Sequence, residues 1–149
     1  MDMKLEVLVV PVSDVDRAKR FYQSLGFRVD IEYANGDYRI MQLTPPGSPT
    51  SIIIGKGITS APRGPIDRMV LAVQDIVAAR KELLSHGVEV SEVFHDAGGG
   101  SGAGFTARTD GHAPGPDPQG RSYASYASFS DPDGNVWLLQ EIKERLPGR

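Results

Sequence analysis

The chain has 149 residues, of which 40% are hydrophobic and 23% are charged, and its formal net charge is −3. This composition excludes a disordered chain, and the lack of a Lys/Arg cluster argues against a nucleic-acid partner. There is no cysteine, which excludes disulfides and thiolate chemistry, and every apolar run is too short to span a bilayer. With no signal-peptide pattern at the start, we expect a cytoplasmic protein that has no membrane contact.

The first half of the chain predicts one strand, one helix and three further strands. The aliphatic run over residues 5–12 is typical of a buried strand, and Asp14 supplies an oxygen that caps the helix after it. Apolar residues at helical spacing continue to Leu25, and Gly26 stands where a left-handed C-cap belongs. The three predicted strands that follow are 27–33, 38–43 and 51–54.

The same pattern returns in the second half, where Asp75 and Gly87 stand as Asp14 and Gly26 stand in the first. Strands are then predicted over three further segments, 88–94, 122–129 and 136–142. The sequence therefore predicts one α+β domain built from two tandem βαβββ modules. Its parts are module 1 (5–54), a linker (55–65), module 2 (66–142) and, inside module 2, a Gly/Pro-rich insertion at 96–121.

Three segments together carry a family resemblance: VPVSDVDRAKRFYQSLGF, LAVQDIVAARKELLSHGVEV and FSDPDGNVWLLQE. Their order and spacing resemble the vicinal oxygen chelate superfamily, which includes glyoxalase I, extradiol dioxygenases, fosfomycin-resistance enzymes and bleomycin-resistance proteins. The resemblance covers almost the whole chain except the insertion. It implies modules whose sheets curl around a cavity, usually in a homodimer.

The resemblance also implies where a divalent metal would be held by His and Glu side chains. The corresponding positions here are Val7, one residue among 51–55, Arg68 and Leu138. An aliphatic side chain cannot ligate a metal, and a guanidinium stays protonated. Glu141 does not replace them, because alternation along the strand puts it on the face opposite Leu138. We therefore predict no metal and no other cofactor.

Alternation along the predicted strands also predicts which side chains line the cavity. This ligand-binding set combines an apolar basin with one cation and one amide: Val7, Val9, Arg68, Val70, Leu138 and Gln140. Tyr123, on the strand after the insertion, is a further candidate contact, and Tyr126 lies on the same predicted strand. For Arg68 the alternative is a position at the open end of the strand, beside Asp67 and Asp75, with the side chain pointing to solvent.

His95 ends a predicted strand where the insertion begins, next to the expected pocket mouth. It is a candidate ligand contact and general base, and the alternative is a strand-end histidine that bonds locally. His112, among glycines and prolines, is expected to be solvated. The insertion itself is expected to be a lid, an arm that crosses to a partner subunit, or a disordered segment.

The leading hypothesis is a metal-free protein that binds or sequesters a moderately apolar small molecule, aromatic or antibiotic-like, as in the bleomycin-resistance branch. Loss of the ligand residues at all four expected positions favours binding over turnover. The competing hypothesis is an enzyme, either a lyase or dioxygenase with relocated metal ligands or a cofactor-free acid–base enzyme that uses His95. A third is an interaction module whose cavity is filled by side chains.

Overall fold

A computed structural model describes residues 1–62, 66–100, 102–105 and 110–147. The chain divides into two compact units: unit 1 comprises Met1–Ile66 and Asp131–Asn135, and unit 2 comprises Asp67–Ser130 and Val136–Arg149. Among the described residues, each unit contains one β-sheet and one α-helix, so the predicted α+β class is confirmed. Each of these α-helices has ten residues, and neither is long and apolar enough to cross a lipid bilayer.

Unit 1 follows the predicted βαβββ order. Its elements are β1 (Val7–Val9), α1 (Val15–Ser24), β2 (Arg28–Asn35), β3 (Tyr38–Thr44) and β4 (Ser51–Lys56). The strand order in the sheet is β1-β4-β3-β2, with β1 parallel to β4. Helix α1 begins after Asp14, whose carboxylate accepts a hydrogen bond from the Arg17 N–H at 2.9 Å. This bond lowers the pKa of Asp14.

The core of unit 1 lies between α1 and one side of its sheet. Its buried side chains include Val10, Tyr22, Met41, Leu43, Ile52 and Ile54. Side chains that alternate with this set point the other way, and among them Val9, Ile31 and Tyr33 are exposed. The sheet is therefore half-buried, as is usual for a sheet with a helix on one side.

Unit 2 adds elements to the predicted pattern. Its elements are β5 (Met69–Val73), α2 (Ile76–Ser85), β6 (Phe94–Asp96), a 3-10 turn (Ala103–Phe105), β7 (His112–Pro114), β8 (Ser125–Ser130) and β9 (Val136–Glu141). The strand order in the sheet is β5-β9-β8-β6-β7.

Two strand predictions in unit 2 need correction. Strand β7, which pairs with β6, lies within the insertion, where no strand was predicted. The strand predicted over 88–94 is shorter, because regular pairing begins at Phe94. Val88 and Val90 are buried, and their alternation suggested a strand. The backbone there makes separate hydrogen bonds instead of a regular ladder, among them Ser91 N–H to the Ser128 carbonyl and Gly115 N–H to the Val93 carbonyl.

The Asp-Pro-Asp-Gly-Asn turn that precedes β9 belongs to unit 1. The buried Asp131 carboxylate accepts hydrogen bonds from the Tyr22 hydroxyl at 2.7 Å and from the Asn135 side-chain amide at 2.8 Å. It also accepts the Asn135 backbone N–H at 2.9 Å. The Asn135 side chain in turn donates to the Pro11 carbonyl and accepts from the Ile66 N–H. The turn is thus a structural brace within unit 1.

Candidate functional site

One side of the unit 2 sheet carries a continuous, mostly apolar surface. Cross-strand partners put its side chains side by side: Val70 is opposite Leu138, Gln140 is opposite both Ala72 and Tyr126, and Tyr126 is opposite Phe94. We call these six residues the open face. Helix α2 packs against β8 and β9, and residues that alternate with the open face, such as Trp137 and Leu139, are buried.

Tyr126 lies at the centre of an aromatic cluster on the open face. Its ring is fully buried and is stacked on Phe94, with centroids 5.5 Å apart. Phe94 is stacked in turn on His112, with centroids 4.3 Å apart. Phe105 approaches Tyr126 edge-on at 6.4 Å. The stacked rings cover one another's faces, so the cluster is a packed aromatic surface that suits contact with an aromatic ligand.

The polar groups of the open face gather at Tyr126 and Gln140. The Tyr126 hydroxyl donates to the Tyr123 carbonyl at 2.6 Å. The Gln140 amide nitrogen makes long contacts, at 3.4 Å to that carbonyl and 3.5 Å to the Tyr126 hydroxyl. Burial raises the pKa of Tyr126, so the phenol stays neutral and remains a hydrogen-bond donor in neutral solution.

Arg68 reaches the open face from the residue before β5. Its Nε donates to the Gly104 carbonyl at 3.1 Å, and another guanidinium nitrogen pairs with Asp67. The side chain is 25% exposed, so both predicted alternatives for Arg68 describe part of its environment. The backbone of Arg68 has a φ of +63°, a left-handed conformation that is uncommon for a residue other than glycine.

The remaining predicted site residues lie elsewhere. Val7 and Val9 are in unit 1, on the side of the sheet away from its core, where Val7 is half-buried and Val9 exposed. His95 alternates with Phe94 and is therefore on the side opposite the open face, with Nδ1 2.8 Å from the Gly115 carbonyl. The Tyr123 hydroxyl accepts from the Leu146 N–H, so its ring is engaged by the C-terminal segment. The structure brings Arg68, Val70, Leu138 and Gln140 together, but neither the His95 nor the Tyr123 side chain joins them.

Phe94 and His112 belong to the aromatic cluster but were absent from the predicted site. His112 is half-buried against Phe94, so the expectation that it would be solvated is wrong. The prediction puts Tyr126 on the correct strand, but it does not identify Tyr126 as the centre of the aromatic cluster. The cluster forms because β6 pairs with both β7 and β8. These strands are distant in sequence, and a short glycine-rich segment has no hydrophobic periodicity from which their pairing could be predicted.

The residues at the implied metal positions do not fit a divalent cation. Val7 and Leu138 offer no ligand atom, and Arg68 is a cation. Within residues 1–62, 66–100, 102–105 and 110–147, no three His, Asp or Glu side chains cluster as a metal site would require. Glu141 faces α2, where its carboxylate accepts from the Ile76 N–H at 3.0 Å and pairs with Lys143 at 3.2 Å. That carboxylate holds the start of a helix and is not on the open face.

Asp117 and Arg121 form a tight ion pair next to His95. The Asp117 carboxylate, whose side chain is 1% exposed, accepts from the Arg121 guanidinium at 2.6 Å and from its backbone N–H at 3.0 Å. These bonds hold the pKa of Asp117 well below its usual range.

The pKa of Asp117 is lower in the folded than in the unfolded chain, so its carboxylate stabilises the fold above about pH 4, the ordinary pKa of Asp. This stabilisation is lost as the pH falls towards the folded pKa. We therefore expect Asp117→Asn to destabilise the protein at pH 7 and to flatten the decline in melting temperature between pH 4 and pH 2. Thermal melts over this range check the expectation. Asp37→Asn, at a side chain that is 98% exposed, is the control. If the melting temperature of Asp117→Asn declines between pH 4 and pH 2 as steeply as that of the unchanged chain, this expectation is wrong.

Comparison with known proteins identifies relatives of the whole chain. The family model described as Glyoxalase/Bleomycin resistance protein/Dioxygenase superfamily matches residues 4–139. The structure of TnmS3, an antibiotic binding protein from Streptomyces sp. CB03234, is similar with 27% identity and a TM-score of 0.68, covering 95% of this chain and 97% of that one.

Two further structures are similar over nearly the full length. A glyoxalase/bleomycin resistance protein from the same Streptomyces has 27% identity and a TM-score of 0.65, covering 93% of this chain and 100% of that one. A member of the superfamily from Sphaerobacter thermophilus DSM 20745 has 26% identity and a TM-score of 0.65, covering 94% and 98%. No curated protein sequence matches the chain.

Proposed function

This chain belongs to the glyoxalase/bleomycin resistance protein/dioxygenase superfamily, and we propose that it is a member that binds and sequesters a moderately apolar small molecule without a metal. The open face carries the proposal. It combines a cluster of stacked aromatic rings with aliphatic neighbours, and Arg68 and Gln140 are polar groups that can orient a ligand.

The chemistry at the family's metal positions supports binding rather than metal-assisted turnover. Leu138, which is 2% exposed, packs apolar surface where the resemblance implies a carboxylate. Apolar burial stabilises a bound hydrocarbon by roughly 25 cal/mol for each Å² removed from water. The similarity to an antibiotic binding protein supports an antibiotic-like ligand. A homodimer, as the resemblance implies, is part of the proposal.

A titration with the fluorescent aromatic anion 8-anilinonaphthalene-1-sulfonate (ANS) tests this proposal. We expect saturable binding with one defined stoichiometry, equal in EDTA and in added Mn²⁺ or Zn²⁺. Incubation with aromatic polyketides, followed by mass spectrometry, is expected to return each compound unchanged. Binding that requires a metal, or release of a product, would contradict the proposal and support the lyase, dioxygenase or acid–base alternative.

A further inference from the structure

The 3-10 turn Ala103–Phe105 lies directly on the open face. A Cβ atom at position 104 would come 2.8 Å from Leu138 Cδ2 and closer still to the ring of Tyr126. The backbone of Gly104 is therefore in contact with the two residues at the centre of the face, and a larger residue does not fit unless something shifts. The turn occupies the place where a bound small molecule would lie.

The contacts of this turn are those that a small ligand would make. The Gly104 carbonyl accepts from Arg68 Nε, and a backbone hydrogen bond from Gly104 to the Tyr126 hydroxyl partly offsets the rise in the pKa of that phenol. The ring of Phe105 adds an edge-on aromatic contact with Tyr126. One residue, Gly104, thus supplies an apolar contact, an oxygen for the guanidinium and a donor for the phenol.

We infer that this turn is an internal substitute for the ligand, and that the ligand is a flat apolar molecule whose carbonyl or carboxylate oxygen replaces the Gly104 oxygen on Arg68. The inference rests on the proposed function. Because Phe105 is 55% exposed and Gly104 has no side chain, we expect that a ligand can displace the turn. A ligand that covers the face in place of the turn must supply a new acceptor for the Arg68 Nε–H, which favours a ligand that carries an oxygen.

The backbone of Arg68 supports a role in recognition. A left-handed conformation is strained for a residue other than glycine, and such strain clusters at functional sites. Here it aims the guanidinium at the Gly104 oxygen while Asp67 holds the other end of the group. Arg68 and the turn are therefore part of the same proposed ligand-binding site.

Thiol labelling tests displacement without any ligand. Because the chain has no cysteine, Leu138→Cys introduces a single thiol beneath the turn. We expect the thiol reagent DTNB to label this cysteine slowly in an otherwise unchanged chain. When Gly104→Val is added, labelling is expected to be at least about tenfold faster, because its rate follows the fraction of molecules in which the turn has left the face.

The matched control is Gly102→Val. Neither glycine has a left-handed backbone, and a Cβ at position 102 meets no atom within 4 Å, so the two substitutions differ in the space available. Ala72→Cys, an exposed position on the same face, is expected to label quickly in every background. Equal labelling of Leu138→Cys with and without Gly104→Val would overturn the inference. Phe105→Ala, which removes only the edge-on ring, gives a second route to displacement should Gly104→Val fold poorly.

The ligand class is tested with 2-naphthoate and 2-methylnaphthalene, which differ only in carboxylate against methyl. We expect Gly104→Val to bind naphthoate at least about tenfold more tightly than the unchanged chain. It should also prefer naphthoate over methylnaphthalene, and addition of Arg68→Gln should remove that preference. Equal affinity for the two probes in Gly104→Val would overturn the inference about the ligand oxygen.

The two ways of failing can be told apart. If labelling is unaffected by Gly104→Val but naphthoate still binds, the substitute-ligand inference is wrong and the proposed function stands. If neither naphthoate, methylnaphthalene nor ANS binds to any variant, the proposed function is wrong, and the inference falls with it.

Discussion

Replacing Asp131 with alanine is expected to lower the free energy of unfolding by about 3–5 kcal/mol, as for breaking a buried charged network. The carboxylate is buried and receives the Tyr22 hydroxyl and both nitrogens of Asn135. Alanine removes the oxygens that these donors share, and each buried donor group left unsatisfied costs about 1–3 kcal/mol. Urea unfolding followed by the fluorescence of Trp137, the single tryptophan, measures the loss.

The control for Asp131 is asparagine, which has the same shape and keeps one carbonyl acceptor. We expect Asp131→Asn to lose about half as much stability as Asp131→Ala, because the carbonyl oxygen still accepts part of the network. If Asp131→Ala unfolds within about 1 kcal/mol of the unchanged chain, the turn is not the brace described above.

Tyr126→Ala is expected to affect both stability and binding. The ring is fully buried between Phe94 and Phe105, and its removal is expected to cost about 3–5 kcal/mol, as for other buried aromatic truncations. Because the ring forms the centre of the open face, we also expect the Kd for ANS to rise at least about tenfold, which corresponds to about 1.4 kcal/mol. Urea unfolding and ANS titration measure the two effects.

Tyr126→Phe separates the ring from its hydroxyl. Phenylalanine keeps the stacked surface but leaves the Tyr123 carbonyl with only the long contact from Gln140, so we expect a stability loss of about 1 kcal/mol. Its ANS affinity is expected to stay within about threefold of the unchanged chain. A Tyr126→Ala protein that binds ANS as tightly as Tyr126→Phe would mean that the dye binds elsewhere and that the open face is not the site.

Local patterns in the sequence predicted most of the fold. Asp14 and Asp75 both cap helices through hydrogen bonds to N–H groups three residues on, as their positions indicated. Strand alternation placed Leu138 and Gln140 on one face and Glu141 on the other, where it meets the start of α2. These features depend on neighbouring residues, and therefore a single sequence suffices to find them.

The rest of the site depends on contacts that no local pattern encodes. The sequence predicts His95 next to the pocket mouth. In the structure Phe94 pairs with Tyr126, and this register puts the Phe94 side chain, not that of His95, on the open face. The left-handed φ of +68° at Tyr123 interrupts alternation just before β8, so its ring joins the C-terminal segment. The homodimer and the cytoplasmic location stay predictions.

The brace formed by Asp131 has a consequence for synthesis of the chain. Asp131 follows Tyr22 by 109 positions, so at about 5–20 residues per second a ribosome needs roughly 5–20 s to supply the partner of that hydroxyl. Until then the nascent chain lacks the Asp131 oxygen that accepts from the Tyr22 hydroxyl. A fragment that ends at Ile66 reproduces this waiting state rather than the finished unit.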